Sequence, residues 1–124
     1  MGRARHVLVV EDNVDLRTAL RELLEDQGCA VYEASDGKMA LEILRTVVPD
    51  LIVLDLLMPI MDGWTCHAHL QKDPTLAAIP VAVLSGAEQS RAPKAAHVLQ
   101  KPLNLVSLIG LLQALDTPDR PRAA

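Results

Sequence analysis

Five polar side chains that could take part in chemistry stand directly after short apolar stretches of this sequence. They are Glu11, Asp12, Asp55, Ser85 and Lys101. Two of the three carboxylates, held about 4 Å apart, would repel each other by roughly 4 kcal/mol at an effective dielectric constant near 20. A hard divalent cation removes this repulsion, and oxygen ligands suit Mg²⁺ better than Zn²⁺. The residue types therefore predict a magnesium site.

Asp55 is the candidate nucleophile of this set, of the kind that forms an aspartyl phosphate. A bound cation would neutralise oxygens of an incoming phosphoryl group. Because phosphoryl transfer needs mainly positioning and charge stabilisation, the ammonium of Lys101 could pair with one phosphoryl oxygen and the hydroxyl of Ser85 could donate to another.

Each of these residues also has a purely structural interpretation. Asp12 or Asn13 could cap a first helix, Lys101 could mark an ordinary strand exit, and Ser85 could begin a turn. Asp55 is harder to explain in this way, because a charge at the end of an apolar strand adds nothing to stability. A polar group after four of five apolar strands favours the functional interpretation.

The hydrophobic pattern alternates short apolar runs with segments of helical periodicity. The predicted strands are His6–Val10, Ala30–Ala34, 51–54, 81–84 and His97–Gln100, and the predicted helices include 14–27, 36–46, 64–72 and 104–115. Short apolar strands that alternate with helices indicate a doubly wound α/β fold, a parallel sheet covered on both faces. In such sheets the ligand site forms at the carboxyl ends of the strands, where the five polar residues stand.

Composition restricts the classes of function. A length of 124 residues fits one domain, predicted here as 1–116 followed by a polar, disordered tail at 117–124. The net charge of −4, with scattered basic residues, does not favour nucleic-acid binding. No apolar run approaches the ~18 residues of a membrane span. Isolated Cys29 and Cys66, without a signal-peptide pattern, predict a cytoplasmic protein with reduced thiols.

Four stretches of the chain, VLVVEDN, LIVLDLLMPIMDGW, VAVLSGA and LQKP, resemble the landmarks of bacterial response-regulator receiver domains, the CheY-like superfamily of two-component signal transduction. The resemblance runs from about His6 to Leu115. It implies the flavodoxin-like five-stranded fold with strand order 2-1-3-4-5. It also implies phosphorylation of the chain by a sensor histidine kinase rather than a role as an enzyme on other substrates.

The resemblance assigns a role to each matching residue. Asp55 is the phosphoacceptor, Glu11 and Asp12 form the acidic pair, and Ser85 is the switch hydroxyl. Lys101 corresponds to the lysine that the family has at this position. Mg²⁺ is expected on Asp12, Asp55 and the backbone carbonyl of Leu57, beside Glu11.

Two positions depart from the family pattern. The aromatic residue usual three positions before the lysine is replaced by Val98, so switching through an aromatic rotamer is not expected. Only fifteen residues separate Ser85 from Lys101, and they include Pro93. We therefore expect the fourth helix, between the fourth and fifth strands, to be short or irregular. The segment from Leu103 to Leu115 has no charged residue, which suggests a surface for a downstream protein or a second copy of the chain.

Three alternatives remain open at this point. The chain could be a degenerate receiver that acts only as an interaction module. It could be a flavin carrier on the same fold, although acidic Glu11 and Asp12 replace the expected phosphate-cradling loop. A zinc site at Cys66, His67 and His69 is a third, weakened because only Cys66 and His69 share a helix face.

The position of Met1 close to the first strand favours a stand-alone protein over a fragment of a longer regulator.

Overall fold

A computed structural model describes residues 5–56, 58, 61–85, 97–100 and 105–115. Several predictions fall outside these residues: the short fourth helix within 86–96, the residues Leu57, Lys101 and Leu103, and the tail at 117–124. Only the backbone is described for Ser85 at the end of the fourth strand.

Five strands form one parallel sheet with the order β2-β1-β3-β4-β5, as the resemblance implies. The strands are β1 His6–Val10, β2 Ala30–Ala34, β3 Leu51–Asp55, β4 Val81–Ser85 and β5 His97–Gln100. All five residues of β3 are buried, because this strand lies at the centre of the sheet. β2 is an edge strand, and four of its five residues are only partly buried. The predicted strand positions are therefore confirmed to within one residue.

Helices alternate with the strands in the described part of the chain. They are α1 Val14–Asp26, α2 Gly37–Ile43, α3 Gly63–Gln71, α4 Pro74–Ala77 and α5 Leu105–Leu115. The first three begin after capping side chains that accept a hydrogen bond from a backbone N–H two or three positions into the helix. α1 ends before Gly28, whose φ of 86° is available to glycine at little cost, so the predicted helix stop is confirmed.

The prediction for the second helix was wrong at its end, and one short helix was missed. α2 stops at Ile43 rather than at Thr46, because the chain tightens there: the Thr46 N–H donates to the Ile43 carbonyl at 3.1 Å. The four-residue α4 lies after α3 and before β4. Asp73 caps it, with its Oδ1 accepting from the Thr75 N–H at 2.9 Å, and Pro74 occupies the first turn.

Alternation along the strands produces two separate cores, one on each face of the sheet. The face covered by α1 and α5 has the buried residues Val7, Val9, Leu20, Leu24, Cys29, Leu51, Val53, Ala82, Leu84, Leu99, Leu108 and Leu112. The face covered by α2 and α3 has the buried residues Leu8, Val10, Ala34, Ala40, Leu44, Ile52, Leu54, Leu56, Cys66, Leu70, Ile79, Val81 and Val83. The doubly wound α/β fold is therefore confirmed.

Within the described residues, no helix combines the length and the apolar character needed to cross a bilayer. Cys29 and Cys66 are both buried free thiols, and burial raises the pKa of each.

Candidate functional site

The carboxyl edge of the sheet brings three acidic residues together. Val10 pairs with Leu54 across the β1–β3 ladder, so Glu11 and Asp55 follow at the same level on adjacent strands, which in sheets lie about 4.8 Å apart. One carboxylate oxygen from each of Glu11, Asp12 and Asp55 lies within 4.8 Å of the others. Glu11 and Asp55 are buried, whereas Asp12 is exposed at the rim. The predicted convergence of these carboxylates is confirmed.

The turn from β1 into α1 is held by a compact set of hydrogen bonds. Glu11 Oε2 accepts from the Asn13 N–H at 3.0 Å. Asn13 Oδ1 in turn accepts from the Leu16 N–H at 2.9 Å, so Asn13 is the N-cap of α1. Of the two residues that the sequence offers as a cap for the first helix, Asn13 is therefore the one that caps it. Asp12 is not needed as a cap, which leaves its carboxylate available to the site.

Burial shifts the ionisation of Glu11 strongly. Its side chain is 1% exposed, and desolvation raises its pKa to about 8, opposed by the Asn13 N–H and reinforced by the charge of Asp55. Glu11 Oε1 is buried and has no hydrogen-bond donor among the described residues. When Glu11 is protonated, that proton can be shared with the carboxylates of Asp55 and Asp12. Burial therefore favours the neutral form of Glu11 unless a positive charge lies beside it.

These residues fit a hard divalent cation. All three side chains offer oxygen atoms as ligands. Glu11 Oε1 is buried and accepts no hydrogen bond from the described residues, so a bound cation would supply the interaction that this oxygen lacks. Bringing like charges this close is unfavourable unless they are protonated or neutralised. In the described part of the chain, no other group of three or more His, Cys, Asp or Glu residues lies close enough to hold a metal.

The start of α3 packs directly against the backbone of the proposed acceptor. The Gly63 N–H donates to the Leu56 carbonyl at 2.9 Å. A Cβ at Gly63 would lie 2.5 Å from the Asp55 carbonyl oxygen and 2.6 Å from the Leu56 Cα. Only glycine permits this approach, and Asp62 caps the helix from the preceding position by accepting from the Thr65 N–H at 2.8 Å.

The remaining predicted site residues are described only in part. Ser85 is the last residue of β4 and pairs with Gln100 on β5, one step beyond the Asp55–Leu84 pair. Its backbone therefore reaches the same edge of the sheet. Lys101 and Leu57 lie outside the described residues.

The Cys-His-Ala-His segment does not assemble with the acidic cluster. Cys66 and His67 are buried in α3, whereas His69 is exposed. Burial lowers the pKa of His67, and its Nε2 lies 3.5 Å from Gln71 Nε2. These side chains form no metal-binding group within the described residues, so Cys66 and His67 are better explained as core residues.

Two residues that the sequence analysis did not single out contribute to the site. Arg17 on α1 donates from Nη1 to the Glu11 carbonyl at 2.8 Å, and Gly63 allows α3 to approach Asp55. The Asp-Gly pair after β3 is a signal for Gly63, because aspartate is a favoured N-cap and glycine permits a close approach of backbone. The role of Arg17 could not be predicted from the sequence, because one of its partners, Glu33, lies on another element and the other is the backbone carbonyl of Glu11.

The family model for the response regulator receiver domain matches residues 7–113. The chain belongs to this family.

The similar proteins differ greatly in length from one another. It is 43% identical over 79 residues to sensor histidine kinase TmoS of Ectopseudomonas mendocina, covering 64% of the receiver domain but 8% of the kinase. It is 34% identical over 86 residues to chemotaxis protein CheY of Halobacterium salinarum, covering 69% and 72% of the two chains. The match thus spans a small part of a long protein and most of a short one.

The fold is also that of solved receiver domains. The signal receiver domain of a signal transduction histidine kinase from Syntrophus aciditrophicus superposes with a TM-score of 0.87 at 30% identity, covering 98% of this chain and 97% of that one. Chemotaxis response regulator CheY4 of Vibrio cholerae superposes with a TM-score of 0.80 at 27% identity, covering 90% and 98%. The flavodoxin-like arrangement expected from the resemblance is confirmed.

The raised pKa of Glu11 predicts how the stability of the metal-free receiver domain depends on pH. The ordinary pKa of 4.5 rises to about 8 on folding. The stability that the neutral carboxyl contributes is therefore fully present below pH 4.5 and is lost as the pH rises toward 8. We expect the free energy of unfolding of the wild type, relative to Glu11→Gln, to fall by about 2 kcal/mol between about pH 5.5 and 7.5.

Denaturant unfolding in the presence of a chelator measures this difference. Glu22→Gln, which removes a carboxylate from an exposed position on α1, is the matched control and should keep the pH dependence of the wild type. Parallel curves for wild type and Glu11→Gln would show that Glu11 ionises normally in the folded protein.

Proposed function

We propose that this receiver domain is a magnesium-dependent phosphoacceptor switch of a two-component system, phosphorylated on Asp55 by a sensor histidine kinase. The observation that carries the proposal is the buried Asp55 carboxylate, with oxygens of Glu11 and Asp12 within 4.8 Å at the carboxyl edge of a parallel sheet. No stability argument accounts for three carboxylates gathered at that distance. A site that binds a cation and then a phosphoryl group does account for them.

The proposed reaction is an in-line displacement at phosphorus. A carboxylate oxygen of Asp55 forms a bond to the phosphorus atom while the bond from phosphorus to the kinase histidine nitrogen breaks. The electron pair of that bond returns to the imidazole. The product is an aspartyl phosphate on the receiver and a free histidine on the kinase.

The chain's own groups position this reaction. Glu11 and Asp12, with Asp55 and the backbone carbonyl of Leu57, would hold Mg²⁺. Bound there, the ion supplies positive charge for the phosphoryl oxygens. Lys101 would pair with another of these oxygens and Ser85 would hydrogen-bond the third, from the end of β4 that lies one step beyond Asp55. The β3 strand holds Asp55 rigidly because all its residues are buried.

The proposed partners follow from the same chemistry. The donor is a sensor histidine kinase, and the phosphorylated form would be recognised by a downstream protein, or a second copy, at the surface formed by the segment between β4 and β5, by β5 and by α5. Val98 and Val106 are exposed apolar side chains of this surface, 42% and 79% accessible. We place the protein in the cytoplasm, where its two free thiols would stay reduced.

Intact-mass measurement tests the proposal. Purified protein with Mg²⁺ and acetyl phosphate should gain one phosphoryl group, and the same mixture with excess chelator should gain none. If neither acetyl phosphate nor a panel of phosphorylated histidine kinases adds a phosphoryl group to folded protein, the proposal fails. The interaction-module alternative would then be preferred.

A further inference from the structure

The consecutive residues Glu11 and Asp12 both bring a carboxylate close to Asp55, which an extended chain would not allow. Successive side chains of an extended chain point to opposite sides. Glu11 and Asp12 are consecutive, yet both present a carboxylate oxygen within 4.8 Å of Asp55. The chain must therefore leave its extended course between them, and residue 12 lies in a bend. Something must hold the peptide that links the two residues in that bent orientation.

The N–H and the carbonyl of Glu11 have different partners. The Glu11 N–H donates to the Ala34 carbonyl at 3.0 Å, which continues the β1–β2 ladder by one step. The Glu11 carbonyl, which belongs to the peptide joined to Asp12, accepts from Arg17 Nη1 at 2.8 Å. A guanidinium from α1 thus binds this peptide at the point where the chain turns away from the sheet.

Arg17 is itself oriented from the edge strand. Its Nε donates to Glu33 Oε1 on β2 at 3.3 Å, and the other oxygen of Glu33 accepts from Arg21 Nη1 at 3.2 Å. A planar fork can engage two acceptors at once, which the single ammonium of a lysine cannot do with the same geometry. The result is a connected series from Arg21 through Glu33 and Arg17 to the Glu11 carbonyl.

Stability does not account for this arrangement. The side chains of Arg17, Glu33 and Arg21 are 18%, 30% and 37% exposed, and ion pairs with this much solvent contribute little to folding. Arg21 forms the same kind of pair with Glu33, but its other ion pair is with Glu25 on its own helix, at 3.9 Å. The hydrogen bond to the Glu11 carbonyl is what distinguishes Arg17.

We propose that Arg17 is a positioning residue that holds the Glu11–Asp12 peptide in the bend, so that both carboxylates face Asp55 and bind the divalent cation. The inference rests on the proposed function, since it assigns Arg17 a role in magnesium binding. Arg17 touches neither the cation nor the phosphoryl group.

Arg17→Ala and Arg21→Ala form a matched pair for the test, because each removes one partner of Glu33. Magnesium affinity is measured by titration of Trp64 fluorescence, or by calorimetry if Trp64 does not report binding. Arg17→Ala should bind Mg²⁺ about tenfold more weakly than the wild type, as for other groups that orient metal ligands, and Arg21→Ala should stay within about twofold. Arg17→Lys should recover only part of the loss.

A second readout needs no metal. The Asn13 N–H is bonded to Glu11 Oε2, so its hydrogen exchange in chelator reports on the loop. It should accelerate about tenfold in Arg17→Ala and stay near the wild-type rate in Arg21→Ala. If Arg17→Ala does not fold, Glu33→Gln takes its place, since it weakens the orientation of Arg17, and should lower magnesium affinity and accelerate this exchange to a smaller degree.

The outcomes separate the two proposals. A wild type that binds no Mg²⁺ overturns the proposed function and the magnesium role of Arg17 together. A wild type that binds Mg²⁺, with Arg17→Ala or its substitute equal to it in affinity and in Asn13 exchange, overturns the positioning role alone. Equal losses in Arg17→Ala and Arg21→Ala would also overturn it, because they would reflect only the shared contact with Glu33.

Discussion

Asp55→Asn is expected to abolish phosphoryl transfer to this receiver domain. The substitution keeps the size and shape of the side chain but replaces the carboxylate proposed as nucleophile with an amide, which does not form an acyl phosphate under these conditions. It also removes one of the three negative charges that would hold Mg²⁺. We expect no phosphoryl group on Asp55→Asn by intact mass after incubation times at which the wild type is fully modified.

Asp73→Asn is the matched control for this loss. Asp73 is an exposed carboxylate that caps α4, remote in the chain from the acidic cluster, and asparagine caps helices equally well. The control removes the same formal charge and should be phosphorylated at the wild-type rate. Stoichiometric phosphorylation of Asp55→Asn would place the acceptor on another residue.

Removing the repulsion around Asp55 should also leave Asp55→Asn folded. Asp55 is 2% exposed and adjoins the buried Glu11, so the amide removes a buried negative charge that opposes ionisation of Glu11 in the absence of metal. An unchanged circular dichroism spectrum would show that lost phosphorylation reflects lost chemistry. An unfolded variant would instead mean that Asp55 is needed for the fold.

Gly63→Ala is expected to destabilise the protein by about 3 kcal/mol. The added Cβ would lie 2.5 Å from the Asp55 carbonyl oxygen and 2.6 Å from the Leu56 Cα, and both are backbone atoms of a fully buried strand and its exit. These atoms cannot move aside by changing a rotamer. Either the start of α3 or the end of β3 must shift, and a shift of β3 displaces Asp55, the proposed acceptor.

Gly110→Ala provides the opposite expectation within the same protein. Gly110 lies exposed within α5, and a Cβ there would meet nothing within 4 Å. Alanine should therefore stabilise the protein by about 0.5–1 kcal/mol through its higher helix propensity. Denaturant unfolding followed by far-ultraviolet circular dichroism measures both variants. Equal stability of Gly63→Ala and the wild type would show that α3 can retreat from Asp55 without cost.

Local sequence pattern was sufficient for most elements of the fold. The positions of all five strands follow from short apolar runs bounded by polar residues, and the start of α2 follows from Asp36, whose Oδ1 accepts from the Met39 N–H at 2.8 Å. The end of α2 could not be predicted from this pattern, because apolar periodicity continues to Val47 whereas the last turn tightens at Ile43. α4 was missed because four residues are too few to show a period.

The order of residues along the chain predicts that the carboxylates meet at one edge, because strand polarity in a parallel sheet places every carboxyl end on the same side. How closely they meet could not be predicted, since the 4.8 Å cluster depends on the β1–β3 register between residues more than 40 positions apart. The raised pKa of Glu11, the reach of Arg17 to the Glu11 carbonyl and the need for Gly63 could not be predicted either. These features depend on burial and on contacts with backbone atoms, so they leave no local period in the sequence.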